Sequence, residues 1–103
     1  MANINVRSPH SLSEAEARRR VERLLATEVP QEFGGQISNY HYTFNANTGR
    51  GTLRFRASVA TIQGTVVVKA NYVEVSCTLP WTVAAFKHSI EQAIKTRAAK
   101  VLA

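Results

Sequence analysis

From Leu53 to Leu79 the chain alternates apolar and polar residues almost without interruption. No other feature limits the possible folds as strongly. Side chains on a β-strand point to opposite faces with a period of two. The stretch therefore reads as three successive antiparallel strands, with tight connections at Ser58–Thr61 and Ala70–Asn71. Leu53, Phe55 and Ala57 share one face, and Val73, Val75, Cys77 and Leu79 form the matching set. Arg54, Arg56, Glu74, Ser76 and Thr78 fall on the reverse. One side is suited to burial and the other to water, the pattern of a sheet covered on one side only.

The cover must come from helices elsewhere in the chain. Asn3–Arg7 alternates and suits a first strand, with Ser8-Pro9-His10 as the turn after it. Ser13 is a good helix N-cap, and Glu16 stands three residues on, placed to reach back to the cap. Leu12 and Ala17 occupy the hydrophobic-staple positions around it. Ala17, Val21, Leu24 and Leu25 recur at helical spacing and form the stripe to be buried. Glu14 with Arg18 and Glu16 with Arg20 are acid-first pairs four residues apart. Proline disfavours helix at the residue before it, so Pro30 predicts an end near Thr27 or Glu28.

Gln36–Phe44 is the next strand, with Tyr40, Tyr42 and Phe44 on one face and Ile37, Asn39, His41 and Thr43 on the other. Residues 45–51 (NANTGRG) form a turn rich in residues that tolerate positive φ. Gly64 interrupts the following strand and marks a bend or close packing. Leu79-Pro80-Trp81 opens a closing helix that runs to about Leu102. Its buried stripe is Val83, Phe86, Ile90, Ala93, Ile94 and Val101; Lys87, Glu91 and Lys95 face solvent. Arg97 interrupts the stripe and is expected to snorkel. The expectation is a single α+β domain spanning residues 1–103. It has a mainly antiparallel sheet of about five strands, order β-α-β-β-β-β-α, and two helices packed on one face.

Composition narrows the function classes. The chain has 103 residues, a formal net charge of +6 and a pI near 10.1. Such a balance favours anionic partners, although a solvated basic surface gives the same count. One cysteine, Cys77, excludes an internal disulfide and suits a reducing compartment. No apolar run approaches the roughly 18 residues of a transmembrane helix. The N-terminus lacks the layout of a secretory signal, so a cytoplasmic protein is expected.

No residue pattern declares a reaction. His10, His41 and His88 fall in three different elements, and none has a second ligand at a metal-site spacing. Cys77 lies on the core face, where a thiol is usually inert. All seven acids are glutamates, most of them explained by helix surfaces. No catalytic residue, metal site or cofactor is therefore expected, and an enzyme is not. Arg54, Arg56 and Lys69, with His41 and Tyr72 nearby, can converge on the open sheet face and hold nucleic acid. The aromatic motif of an RNA-recognition sheet is missing. The same face, partly apolar through Ile37, Val67 and Tyr72, can instead meet a second copy of the chain.

Three sets of residues carry a family resemblance. They are the opening Ile4-Asn5-Val6-Arg7 with His10-Ser11-Leu12 and Ala17-Arg18, the strand Gly64-Thr65-Val66-Val67-Val68, and Val73-Glu74-Val75 followed by Leu79-Pro80, Phe86-Lys87 and Ile90-Glu91. In these the chain resembles the small bacterial polyhydroxyalkanoic acid system family over almost its whole length. Its first helix carries more arginine than that family pattern. The resemblance implies a cytoplasmic bacterial protein associated with polyhydroxyalkanoate granules or their genes, and supplies no catalytic residues. The functional expectation is a non-catalytic accessory or binding protein of polyhydroxyalkanoate storage, meeting the granule or a granule-associated protein. The Trp81–Phe86 segment offers an amphipathic contact, or else closes the core. A nucleic-acid-binding module using the basic sheet face is the alternative.

Overall fold

The computed structural model describes residues 2–35, 37–57, 60–80, 85 and 87–103. Five strands form one antiparallel sheet: β1 (Ala2–Pro9), β2 (Ser38–Asn45), β3 (Arg50–Ala57), β4 (Ala60–Val68) and β5 (Tyr72–Leu79). Their spatial order is β1-β5-β4-β3-β2. β2 to β5 form a meander, and β1 closes beside β5 from the opposite end of the chain. Helical residues 14–33 lie between β1 and β2: α1 (Glu14–Arg23), a π-helical turn (Leu24–Glu28) and α2 (Val29–Phe33). The last helix is α3 (Lys87–Val101). The fold is the α+β arrangement read from the alternation.

Alternate strand residues build the core. Ile4, Val6, Ala60, Ile62, Val66, Val68, Val73, Cys77 and Leu79 are buried on the helix side. One cluster sits under α1, where Ala17, Val21 and Leu25 meet Val66, Val68, Val73 and Leu102. A second joins Ile4, Val6, Ile62, Cys77 and Leu79, with Ile90 and Ile94 of α3 packed against it. At roughly 25 cal/mol per Å² of apolar surface, these clusters are the main stabilising term.

Local signals at the first helix act as their chemistry dictates. The Ser13 hydroxyl accepts the Glu16 N–H at 3.1 Å. The Glu16 carboxylate turns away from the cap and takes Arg19 at 2.7 Å and Arg20 at 2.9 Å. Glu14 pairs with Arg18 at 3.2 Å. Arg18 also donates to the carbonyls of Ala46 and Asn47, tying α1 to the β2–β3 turn. Gly49 in that turn has φ +72°, and a Cβ there would stand 2.9 Å from both the Val68 oxygen and Arg18 Nε.

Four expectations need correction. The helix does not end at Thr27 or Glu28: helical backbone continues through Pro30 to Phe33. The Val29 N–H bonds to Leu24 O, five residues back, so the ladder widens by one residue before the proline. Pro30 then sits in the first turn of α2, where no donor is required. In the widened register Leu25 O would look to residue 30, which has no N–H. The Tyr40 hydroxyl takes that place, donating to Leu25 O at 2.7 Å.

Second, Ser8 and Pro9 are not a turn but the end of β1, paired with Val73 and Tyr72. β1 is an edge strand, where a missing donor can face solvent. Third, β2 begins at Ser38, and its pairing with β3 is irregular between Ser38 and His41, with Asn39 at φ 54°. Fourth, Ala93 is exposed; α3 buries Ala98, with Ile90 and Ile94 buried in part. Ser58 in the β3–β4 connection and Trp81, Val83 and Phe86 at the start of the closing helix lie outside the described residues.

Candidate functional site

The face of the sheet turned away from the helices presents its side chains in rows that cross the strands. The central row runs Thr43–Thr52–Thr65–Ser76–Asn5, one residue from each strand. All five are hydrogen-bonding and uncharged. Thr43 and Thr52 share a hydroxyl contact of 2.6 Å, and the Asn5 amide donates to Ser76 Oγ at 3.3 Å. Toward one end of the strands lies the row His41–Arg54–Gln63–Thr78–Asn3. Toward the other lies Asn45–Arg50–Val67–Glu74–Arg7. A shallow depression of about 450 Å³ opens on this face, lined by Thr52, Arg54, Gln63, Thr65, Ser76 and Thr78.

Charge is divided unevenly between sheet and helices. Five of the 13 Lys and Arg residues (Arg7, Arg50, Arg54, Arg56 and Lys69) belong to the strands and their hairpins. Only one of the seven glutamates, Glu74, does. Glu74 is engaged by Arg7 at 2.8 Å, and the Arg7 guanidinium lies 5.0 Å from the centre of the Tyr72 ring. The Glu74 hydrogen bond, then Tyr72, hold the Arg7 pKa above its usual value. Most of the protein's net positive charge thus stands on the sheet, whereas the helices hold cations and acids in near balance.

The expected site residues share this face but form two groups. His41, Arg54 and Arg56 lie close together on β2 and β3, with His41 directly opposite Arg54. Lys69 and Tyr72 lie at the β4–β5 hairpin, where the Lys69 N–H donates to Tyr72 O at 2.8 Å. Lys69 is six residues along from Gln63, the partner of Arg54, a separation of about 20 Å. The Tyr72 ring is half-buried beneath Arg7 and is not an open stacking surface. Two cations escape a reading of the sequence. Arg50 falls inside a predicted turn, and Arg7 lies in a strand that the sequence does not pair with the meander. Counting acids and bases strand by strand would find both.

Other reactive groups are placed differently. Cys77 is 8% exposed on the core side, and burial pushes its thiol pKa up. His10 Nε2 lies 3.0 Å from Lys69 O, a contact that needs the proton on that nitrogen. Its role there is to tie the end of β1 to the β4–β5 hairpin. Among the described residues, no three His, Cys, Asp or Glu come together to share a metal ion. Likewise, none of their helices is long and apolar enough to cross a membrane.

The helix side has an incompletely covered end. Tyr42, opposite Leu53, is 40% exposed and stacks beside Tyr40 with ring centres 6.1 Å apart. Leu53 and Phe55 behind them are only half-buried. The result is an apolar strip with a phenol at its rim.

Comparison with known proteins adds three findings. Residues 4–102 match a family model described as "Putative polyhydroxyalkanoic acid system protein". No curated protein matches the sequence. Among solved structures, Ara h 8.0201 is similar with a TM-score of 0.54 at 10% identity, covering 98% of this chain and 97% of that one. The Thermus thermophilus protein TTHA0849 has a TM-score of 0.46 at 10% identity, covering 98% of this chain and 94% of that one. The first likeness is one of fold alone.

Proposed function

Because the chain belongs to the polyhydroxyalkanoic acid system family, we propose that it is a non-catalytic accessory protein of polyhydroxyalkanoate storage. It acts in the cytoplasm by binding at the granule surface. The observation that carries this reading is the partly exposed strip at Tyr42, Leu53 and Phe55 on the helix side. Tyrosine suits a boundary that is apolar on one side and wet on the other. Polyester against water is such a boundary. The buried Cys77 and the pairing of Glu14 and Glu16 with arginines favour structural roles for these groups over chemistry.

Granules from a polymer-accumulating host provide the test. The protein should sediment with washed granules at low salt and stay soluble in a polymer-free host. Tyr42→Glu should reduce the sedimented fraction at least threefold while leaving the fold intact by circular dichroism. Wild-type protein that remains wholly in the soluble fraction would rule out granule attachment.

A further inference from the structure

The open sheet face is a different surface from the Tyr42 strip, on the opposite side of the sheet, and its chemistry points to a different partner. We infer that this face binds the phosphate backbone of duplex nucleic acid, without reading sequence.

Four features of the face carry the inference. First, its charge is segregated: five cations stand on the sheet and its hairpins against Glu74 alone, and Glu74 is already held by Arg7 at 2.8 Å. Arg50, Arg54 and Lys69 are all exposed. They extend over roughly 20 Å of strand, a length along which a duplex presents about one negative charge per 1.7 Å.

Second, the space between the cations is filled by donors. Thr43, Thr52, Thr65, Ser76 and Asn5 cross all five strands in one row, and Gln63 and Thr78 flank it. Hydroxyls and side-chain amides are common partners of phosphate and sugar oxygens, alongside arginine.

Third, the apolar anchors of a protein partner are scarce. Among the described strand residues of this face, only Val67 and the Arg7-covered ring of Tyr72 interrupt the polar surface. Protein interfaces concentrate their energy in a buried apolar or aromatic centre, whereas nucleic-acid interfaces are more polar and more positive. A second copy of the chain would oppose this cationic face with itself, and the like charges would repel.

Fourth, the form of nucleic acid follows from the aromatic residues. Single strands are held by bases stacked on open rings. Here Tyr72 lies under a guanidinium, and Tyr40 and Tyr42 belong to the helix side. Among the described residues of this face no tyrosine, phenylalanine or tryptophan ring is open for stacking, which favours backbone contact with a duplex.

Fluorescence anisotropy with a labelled random-sequence 20-bp DNA duplex tests the inference, with purified protein and no granules. Three phosphate contacts predict a log affinity–log salt slope of about −2.7, hence about a 40-fold weakening from 50 to 200 mM salt. Reversing Arg50, Arg54 and Lys69 to Glu together should abolish binding at 50 mM salt. The neutral triple Arg50→Gln, Arg54→Gln and Lys69→Gln should flatten the slope toward zero, and serves if the reversed protein does not fold. Reversing Arg23 and Lys100, on the helix side, should change affinity less than threefold.

Several results would overturn it: no duplex binding by wild type at 50 mM salt, triple variants that bind as before, or a helix-side variant that loses as much. Tighter binding of the matching single strand would refute the duplex, and equal displacement by poly-glutamate would assign the face to acidic protein. Tyr42→Glu should leave DNA affinity unchanged, so this inference and granule attachment fail separately.

Discussion

The two faces of the sheet are made of the same strands, residue by alternate residue, yet one is mainly apolar and the other mainly polar and cationic. Ile4, Val6, Val68 and Leu79 on the helix side are each no more than 1% exposed. Their sequence neighbours Asn5, Arg7, Lys69 and Thr78 do not contribute to that core. A one-residue slip in register would exchange the faces, burying arginines and exposing valines. Two buried clusters therefore fix the register, and the register in turn fixes which cations stand together outside. The buried core belongs to one face and the rows of exposed polar and cationic side chains to the other, so each side can be tested without disturbing its counterpart.

The sharpest test of this division compares one truncation on each face. Leu79→Ala removes a fully buried side chain and should cost about 2–5 kcal/mol in urea unfolding. Thr65→Ala, exposed on the central row of the open face, should stay within about 0.5 kcal/mol. Similar losses from both would mean the open face is covered in solution.

Gly64 tests how closely the strands approach on the covered side. A Cβ there would stand 3.0 Å from Cys77 Sγ and 3.1 Å from the Ser76 carbonyl oxygen. Gly64→Val should therefore destabilise by about 1–3 kcal/mol despite valine's strand preference. A neutral result in thermal melts would show that the sheet yields at this point.

Tyr40→Phe leaves Leu25 O without its donor and should cost about 1 kcal/mol. Burial, and then Tyr42, raise the Tyr40 pKa to about 12, from an ordinary value of 10.0. The folded-state value lies above the unfolded one, so the contribution is complete below pH 10 and lost as pH rises toward 12. Absorbance at 295 nm should show this late-titrating phenol in the wild type and not in the variant.

The smallest effect concerns a helix surface. Hydrogen bonds from Arg19, then Arg20, lower the Glu16 pKa from 4.5 to about 2. A depressed folded-state pKa gives stability above pH 4.5 that disappears as pH falls toward 2. Glu16→Gln should melt slightly below wild type at pH 6, and the gap should close by pH 2. A gap that persists at pH 2 would mean the carboxylate's charge is not the source.

Much of this is legible because it is local. Ser13 caps its helix whatever surrounds it, and Glu14–Arg18 and Glu16–Arg20 need only the helical repeat. Alternation likewise places Leu53, Phe55, Val73 and Cys77 on one side and Arg54, Arg56 and Tyr72 on the other. The candidate site is legible in side but not in extent. The sequence offers no means of knowing that Arg7 stands beside Glu74, 67 residues away, or that Lys69 falls about 20 Å from Arg54.

The sequence by itself determined the main helices and strands, the one-sided sheet and the parity of β1, β3, β4 and β5, since these follow from backbone period and side-chain polarity; in β2 the irregularity between Ser38 and His41 breaks the alternation. Tertiary structure alone decided the strand order, the rows of the open face and the fate of Pro30. Rows require partners on other strands, and the partner of β1 comes from the far end of the chain. A proline inside a helix is tolerable here because a widened turn precedes it and Tyr40, from a strand beyond, supplies the missing donor. Neither condition is written within a helical turn of the proline itself.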